Sequence, residues 1–234
     1  MADDWKLGQR MEIIYEGKTN RLIRLGDRTL LQFKDALVGD AKGNVDPGGD
    51  FVVGQLEGKG AASAKVAAYF FKLMNEAGID THFLGVHSDT ELEIRPITRI
   101  QLEVIYRALA YGSFLRRYRG YVQPMAELDL VEFNLKDDAL GDPLLERRVV
   151  TKLGIASPDE VGRMEVIARR VVRAVTGVLT DQGLKLVDMK LEFGRIGENL
   201  VVIDALSGDT MRVYDPAKGK VLNQLELAEG LGLT

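Results

Sequence analysis

The segment "LKLVDMKLEFG", residues 184 to 194, leaves the chain little choice of local structure. Charged and apolar residues alternate strictly from Val187 to Phe193. In an extended strand, alternate side chains share a face. Asp188, Lys190 and Glu192 therefore point one way, and Val187, Met189, Leu191 and Phe193 the other. The apolar set demands a core beneath it, so the segment predicts a strand with one buried face. The charged set presents acid, base, acid at steps of ~7 Å. An ordinary solvated face is the simpler account of it. A few residues on, "VVIDALSGD" puts Asp204 at the end of another strand, with Asp209 and Arg212 just beyond. If the two strands pair across "RIGEN", Glu192 and Asp204 approach one another. Two carboxylates aimed at one point invite a divalent cation, and Mg²⁺ commonly takes one or two carboxylates plus substrate phosphates.

The remaining pattern sets the architecture. "MEIIYEG", "NRLIRL" and "TLLQF", between Met11 and Phe33, read as a three-stranded antiparallel meander. Residues 35 to 60 hold seven glycines and one proline, too many turn signals for regular structure. "AASAKVAAYFFKLMNEAG" carries apolar residues at helical spacing, with Gly78 as its stop. "THFLGV" and "TELEIRPITRIQLEVIYRALA" read as strands, and "GSFLRRYRG" as a short helix opening at Ser113. The clearest helix starts at "SPDE". Ser157 is its N-cap, Pro158 its first residue and Glu160 the partner in a capping box, and Gly183 closes it. Strands, a helix, strands, a helix and strands again argue for an α+β chain with mostly antiparallel sheets. A split into two lobes near residues 85 to 90 fits that order.

Composition removes several function classes. At 234 residues and 46% hydrophobic content the chain can bury a core without covalent staples. It has no cysteine, which excludes disulfides, thiolate zinc sites and a cysteine nucleophile and fits a cytoplasmic enzyme. His82 and His87, the only histidines, cannot build a multi-histidine metal centre. A net charge of -4 argues against a nucleic-acid clamp. No apolar run approaches the ~20 residues of a membrane span. "MADDWKLGQR" lacks the basic-then-apolar order of a signal peptide.

Two stretches are candidate phosphate sites. Gly17-Lys18-Thr19 ends like a P-loop, but that pattern needs glycine at position 12, where Glu12 stands, and a helix after the lysine. A glycine between two strands can still turn its N–H groups to an anion, with Lys18 adding charge. A plain polar hairpin is the simpler reading. In "RALAYGSFLRR", Gly112-Ser113 opens a helix whose first N–H groups favour phosphate, and Arg107 on the preceding strand can fork onto the same group. An ordinary cap with solvated arginines accounts for it equally well. "KDDALGDP", 136 to 143, reads alone as a loop.

In order along the chain, "YEGKTNRL", "LEGKGAASAKVAAYFFKLMNEAGIDTHF", "HSDTE", "LEVIYRALAYGS", "KDDALGDPLL", "LVDMKLEFG" and "SGDTMRVYD" resemble the landmarks of the SAICAR synthetase family, over about residues 12 to 222. The resemblance implies a two-lobed fold related to ATP-grasp enzymes, with residues 1–88 as nucleotide-binding lobe and 89–234 as substrate- and metal-binding lobe. It implies an ATP- and Mg²⁺-dependent ligase, a homodimer, that joins carboxyaminoimidazole ribonucleotide to L-aspartate through an acyl phosphate. By its motifs Gly17, Lys18, Asn20 and Arg21 would meet ATP, and Glu192 and Asp204 would hold Mg²⁺. Asp188 and Lys190 would orient the reacting carboxylate and phosphoryl group. Arg107, Gly112, Ser113 and Arg212 would take the ribonucleotide phosphate, and Lys136 and Asp138 would lie near aspartate.

The chain also departs from the family pattern. Asn20 replaces a second lysine, Ala108 an asparagine and Tyr111 a small residue, and Ser63 and Ala64 stand where asparagines are usual. Ala205 breaks an acidic pair, and Ser207-Gly208-Asp209 replaces Ser-Pro-Asp. The glycine-rich insert at 40 to 57 is unusual, and "LNQLELAEGLGLT" reads as lacking the terminal helix that the resemblance implies. These changes admit two alternatives: a paralogous ligase for another acid and amine, or a non-catalytic nucleotide-binding homologue. Intact Lys190, Glu192 and Asp204 argue against the second.

Overall fold

The computed structural model describes residues 11–40, 42–46, 49 and 51–233, so "MADDWKLGQR" lies outside it. The meander is present as β1 (Met11–Glu16), β2 (Asn20–Leu25) and β3 (Arg28–Phe33). Residues 35 to 60 are more regular than their glycines imply. They form a two-stranded hairpin of β4 (Ala36–Gly39) and β5 (Phe51–Gln55), because the apolar runs "ALV" and "FVV" pair while most of the glycines gather between them. Helix α1 (Lys59–Glu76) follows and stops before Gly78 as expected. It begins two residues before "AASAK", because the carboxylate of Asp35 accepts the N–H of Gly60 (2.8 Å) and Gly58 (3.4 Å). Strands β6 (Phe83–Ser88) and β7 (Glu91–Ile94) complete a first antiparallel sheet in the order β1-β2-β3-β7-β6. That sheet ends at residue 94, a few residues beyond the lobe border expected at 88.

The second sheet begins with β8 (Thr98–Leu109). After α2 (Gly112–Arg117) come β9 (Glu127–Leu135), β10 (Leu144–Leu145), α3 (Arg147–Lys152) and the capped helix α4 (Pro158–Asp181). Strands β11 (Lys185–Ile196), β12 (Asn199–Val202), β13 (Met211–Asp215) and β14 (Lys220–Val221) follow, then α5 (Gln224–Gly230). The order is β10-β9-β8-β11-β13-β14, with β12 on the far end of β11, and every pairing is antiparallel. The fold is therefore α+β. Helix α5 corrects the expectation of a missing terminal helix. Asn223 accepts the N–H of Glu226 (2.9 Å) and Glu226 returns the bond (3.0 Å), a second capping box. Strand β9 and helix α3 went unread, the former because acids interrupt its apolar residues.

One hydrophobic core runs through both sheets. Leu31, Phe33 and Leu92 of the first sheet, Phe70 and Met74 of α1, Val171 and Val175 of α4, and Met189 and Leu191 of β11 belong to it. Val187, Met189, Leu191 and Phe193 are fully buried, so the apolar face of "LVDMKLEFG" is the core face its alternation demands. No helix among the described residues is long and apolar enough to cross a membrane.

His82 sits inside this core, 5.4 Å from the ring of Phe71, with no hydrogen-bond partner on either ring nitrogen among the described residues. Burial, then the charges of Arg95 and Arg99, push its pKa from 6.5 down to about 3. The unfolded chain therefore takes up this proton first as pH falls. Stability is complete above the unfolded value of 6.5 and drains away toward 3. In His82→Phe the unfolding free energy should lose about 1.4 kcal/mol per pH unit less than wild type within that window. Denaturant titrations at several pH values measure it, and parallel profiles for the two proteins would contradict the assignment.

Candidate active site

Register brings the charged face of β11 opposite β8. Asp188 pairs with Arg107, Lys190 with Ile105 and Glu192 with Glu103. The β11–β12 hairpin then carries Asp204 back over β11, and the N–H of Ile203 donates to the carbonyl of Glu192 at 3.0 Å. The result is an ammonium among carboxylates. Lys190 Nζ lies 3.1 Å from Glu103 Oε1, 3.3 Å from Glu192 Oε1 and 3.5 Å from Asp204 Oδ2. Arg99 reaches Glu192 Oε2 at 2.5 Å, and Lys136 reaches Glu103 at 3.2 Å. Glu103, Asp188 and Glu192 are buried, so this face is not the solvated one that simple alternation allows.

Electrostatics follow from that packing. Burial opposes the charge on Lys190, but Asp204, Glu192 and Glu103 outweigh it and hold the ammonium well above the usual lysine range. Burial pushes Asp204 up to about 6, opposed by Lys190 and reinforced by Glu192. Glu192 is equally enclosed, yet Lys190, Arg99 and Lys136 keep it below the ordinary carboxylate range. Asp204 Oδ2 has no hydrogen-bond partner among the described residues.

A second cluster lies along the same cleft. Arg107 donates to Glu132 Oε2 (2.9 Å), Asp188 Oδ2 (3.0 Å) and Ser113 Oγ (3.0 Å). Arg212, from the neighbouring β13, donates to Asp188 Oδ2 at 2.6 Å. Its guanidinium lies 5.7 Å from the Tyr111 ring, which gives that departure from the family pattern a contact of its own. Gly112 has φ +51°, and a Cβ there would fall 3.2 Å from the Arg212 guanidinium carbon. A side chain there would be strained by the left-handed backbone and would make the guanidinium give way by a few tenths of an ångström. Asp46 also bonds Arg212, from the β4–β5 hairpin.

The first sheet closes the cleft from the other side. Gly17, Lys18 and Asn20 line it at the β1–β2 turn, and Lys18 Nζ meets Asp138 Oδ1 at 3.3 Å. Lys136 and Asp138 line it as well, from the loop that alone reads as plain. Arg21 does not; Gln32 Oε1 accepts its Nε at 2.6 Å, outside the cleft. The cleft holds ≈ 390 Å³ and is lined mostly by polar groups.

Sequence reading missed Glu103 and Arg99, which need the β8–β11 register to be seen. It also missed Lys59. That lysine is fully buried at the start of α1, 2.8 Å from Asp209, and donates to the carbonyls of Ala36 (2.8 Å) and Lys34 (3.2 Å). Asp209, on the cleft wall, also accepts from Ser63 (3.2 Å) and from Gln224 at the head of α5 (2.9 Å). A lysine between two glycines ahead of a helix was the available signal.

The same architecture recurs among known proteins. The SAICAR synthetase family profile matches residues 13–226. The phosphoribosylaminoimidazole-succinocarboxamide synthase of Pyrobaculum aerophilum is 38% identical over 205 residues, which cover 87% of this chain and 83% of that protein. Its counterpart from Persephonella marina is 34% identical over 227 residues, 96% of this chain and 92% of the relative. Among solved structures, a type-2 SAICAR synthetase in complex with ADP aligns with a TM-score of 0.82 at 32% identity, over 94% of each chain. A synthase from Ehrlichia chaffeensis shares the fold, with a TM-score of 0.86 at 24% identity over 95% of this chain and 99% of that one.

Gly112 offers a direct check on the cluster. Gly112→Ala should cost about 1–2 kcal/mol from the left-handed backbone alone, and more if Arg212 is displaced from Asp188. Urea unfolding reads this out, and an unchanged midpoint would count against the crowding at this glycine.

Proposed function

The chain belongs to the SAICAR synthetase family, and on that premise we propose that it joins carboxyaminoimidazole ribonucleotide to L-aspartate, with conversion of ATP to ADP and phosphate, as a step of de novo purine biosynthesis. The observation that carries this reading is the single cleft that holds an enclosed lysine among carboxylates at one end and paired arginines at the other. A ligase of this kind must hold a nucleotide triphosphate and a phosphorylated acid together and exclude water while a phosphoryl group passes between them.

The roles divide along the cleft. Gly17, Lys18 and Asn20 meet the ATP phosphates from the first sheet. Arg107, Ser113 and Arg212 take the ribonucleotide phosphate, Arg107 and Arg212 through guanidinium forks suited to it. Lys190, kept protonated by its neighbours, neutralises the γ-phosphoryl group as it moves to the imidazole carboxylate. Asp188 fixes both phosphate arginines. The acyl phosphate then meets the aspartate amine, held near Lys136 and Asp138. The C–N bond forms as the C–O bond to phosphate breaks, and the amine's proton passes to the released phosphate.

Glu192 and Asp204 fit a hard cation, since both offer carboxylate oxygens and Asp204 Oδ2 is buried without a hydrogen bond. Among the described residues no three acidic or histidine side chains are arranged to hold a metal ion by themselves. That suits Mg²⁺, which takes few protein ligands and completes its shell from water and phosphate. When bound there, Mg²⁺ offsets charge on the transferring phosphoryl group. The homodimer implied by the family resemblance belongs to the same proposal.

Two experiments test this. Purified protein supplied with ATP, Mg²⁺, the ribonucleotide and aspartate should release ADP and yield a product with the mass of the succinocarboxamide. ADP release only with another acid or amine would replace the substrates named. Glu192→Gln and Asp204→Asn should each weaken Mg²⁺ binding by about 10–100-fold, in calorimetric titration with ADP present as well as in turnover. A variant that titrates like wild type takes its residue out of the metal site.

A further inference from the structure

Asp46 occupies an arginine to which the proposed function gives the ribonucleotide phosphate. Its Oδ1 accepts from Arg212 Nε at 3.1 Å and also from Arg212 Nη2, and its Oδ2 lies 3.8 Å from Arg116. Arg212 is one of the groups that take the ribonucleotide phosphate in the proposed function, and the role of Asp46 rests on that assignment. The carboxylate is delivered from outside the sheet that carries the arginines, by the β4–β5 hairpin, a separate two-stranded unit.

The described residues around Asp46 carry several hydrogen bonds. The Asp40 carboxylate accepts the N–H groups of Lys42 and Asn44 at 2.9 Å each and the Asn44 amide at 2.9 Å. Asp46 N–H donates to Val38 O at 3.0 Å. At the neck, Gly49 packs against the backbone of Gly39 so closely that a Cβ would lie 2.4 Å from its carbonyl oxygen. The hairpin therefore presents Asp46 to Arg212 in a defined pose.

Charge identifies Asp46 as the exchangeable partner. Among the described residues, four guanidinium groups, those of Arg107, Arg116, Arg117 and Arg212, form ion pairs with three carboxylates, Asp46, Glu132 and Asp188. Glu132 and Asp188 sit on β9 and β11, flanking Arg107 in the same sheet, and cannot leave without breaking it. Asp46 can. Its departure leaves four positive groups against two negative ones, and that excess matches a phosphate dianion.

We infer that Asp46 is an intramolecular competitor for the phosphate subsite, a specificity-determining residue that only a phosphate dianion displaces. The closed hairpin fills the subsite with one negative charge, so a nucleoside without phosphate gains nothing by opening it. Occupancy by Asp46 lowers the apparent affinity for phosphate in proportion to the closed fraction.

The test uses the full chain and ribose 5-phosphate as probe, by isothermal titration calorimetry, together with KM values. Asp46→Asn should bind ribose 5-phosphate roughly tenfold more tightly and lower KM for the ribonucleotide by a similar factor, leaving KM for ATP unchanged; such a factor corresponds to a latch closed about nine-tenths of the time. Asp46→Glu, which keeps the charge, should stay near wild type. In an Arg212→Ala background the gain from Asp46→Asn should vanish. Unchanged or weaker binding by a folded Asp46→Asn protein overturns the inference. The underlying assignment fails separately, if Arg212→Ala alone binds ribose 5-phosphate as wild type does; thermal unfolding of each variant confirms that folded protein is compared.

Discussion

A lysine ammonium enclosed by carboxylates holds the cleft together. Taking a charge out of water costs several kcal/mol unless partners compensate it. Lys190 has three such partners, and each arrives from a different place: Glu103 from β8, Glu192 from its own strand, and Asp204 from the turn after β12. None can move far without stranding the others. The strand register is thereby fixed from both sides, by the core face of Met189 and Leu191 and by the ion cluster on the opposite face. A slip of one residue would put charges in the core and leucines in the cleft.

The arginine end works on the same principle with a different balance. Asp188 serves both Arg107 and Arg212, so one carboxylate fixes the spacing of two guanidinium groups. The lysine end carries nearly matched charges, which suits a place where a highly charged group passes through. The arginine end keeps a positive excess among the described residues, as the phosphate role proposed for it requires. Both sit on one sheet, and the first sheet closes over them.

Much of this was legible because it is local. Alternation from Val187 to Phe193 gives the strand and both its faces, Ser157-Pro158 and Glu160 give the start of α4, and the Glu192–Asp204 approach needs only one tight hairpin. What was not legible depends on contacts distant in sequence. Helix α1 starts at Lys59 because Asp35 caps it from an earlier segment. Glu103 joins the lysine cluster only through pairing across more than eighty residues. The glycines of residues 35 to 60 hid a hairpin because turn residues gathered between two short apolar runs. Helix α5 is short, seven residues, and its clearest local mark is the capping box of Asn223 and Glu226.

The buried pair of Lys59 and Asp209 bears on how the chain reaches this state. Lys59 stands at the head of an early helix, and the loop that neutralises it is synthesised about 150 residues later, as the 146-residue separation of Ser63 from the same carboxylate indicates. Until that loop docks, the lysine must stay hydrated, and α1 cannot settle fully onto the core. Closing so long a segment is entropically slow, and contacts of this range set folding rates more than local ones do. The cleft wall at Asp209 thus ties the burial of an early helix to a distant loop, and a chain in which that loop has not docked would leave Lys59 without its carboxylate partner.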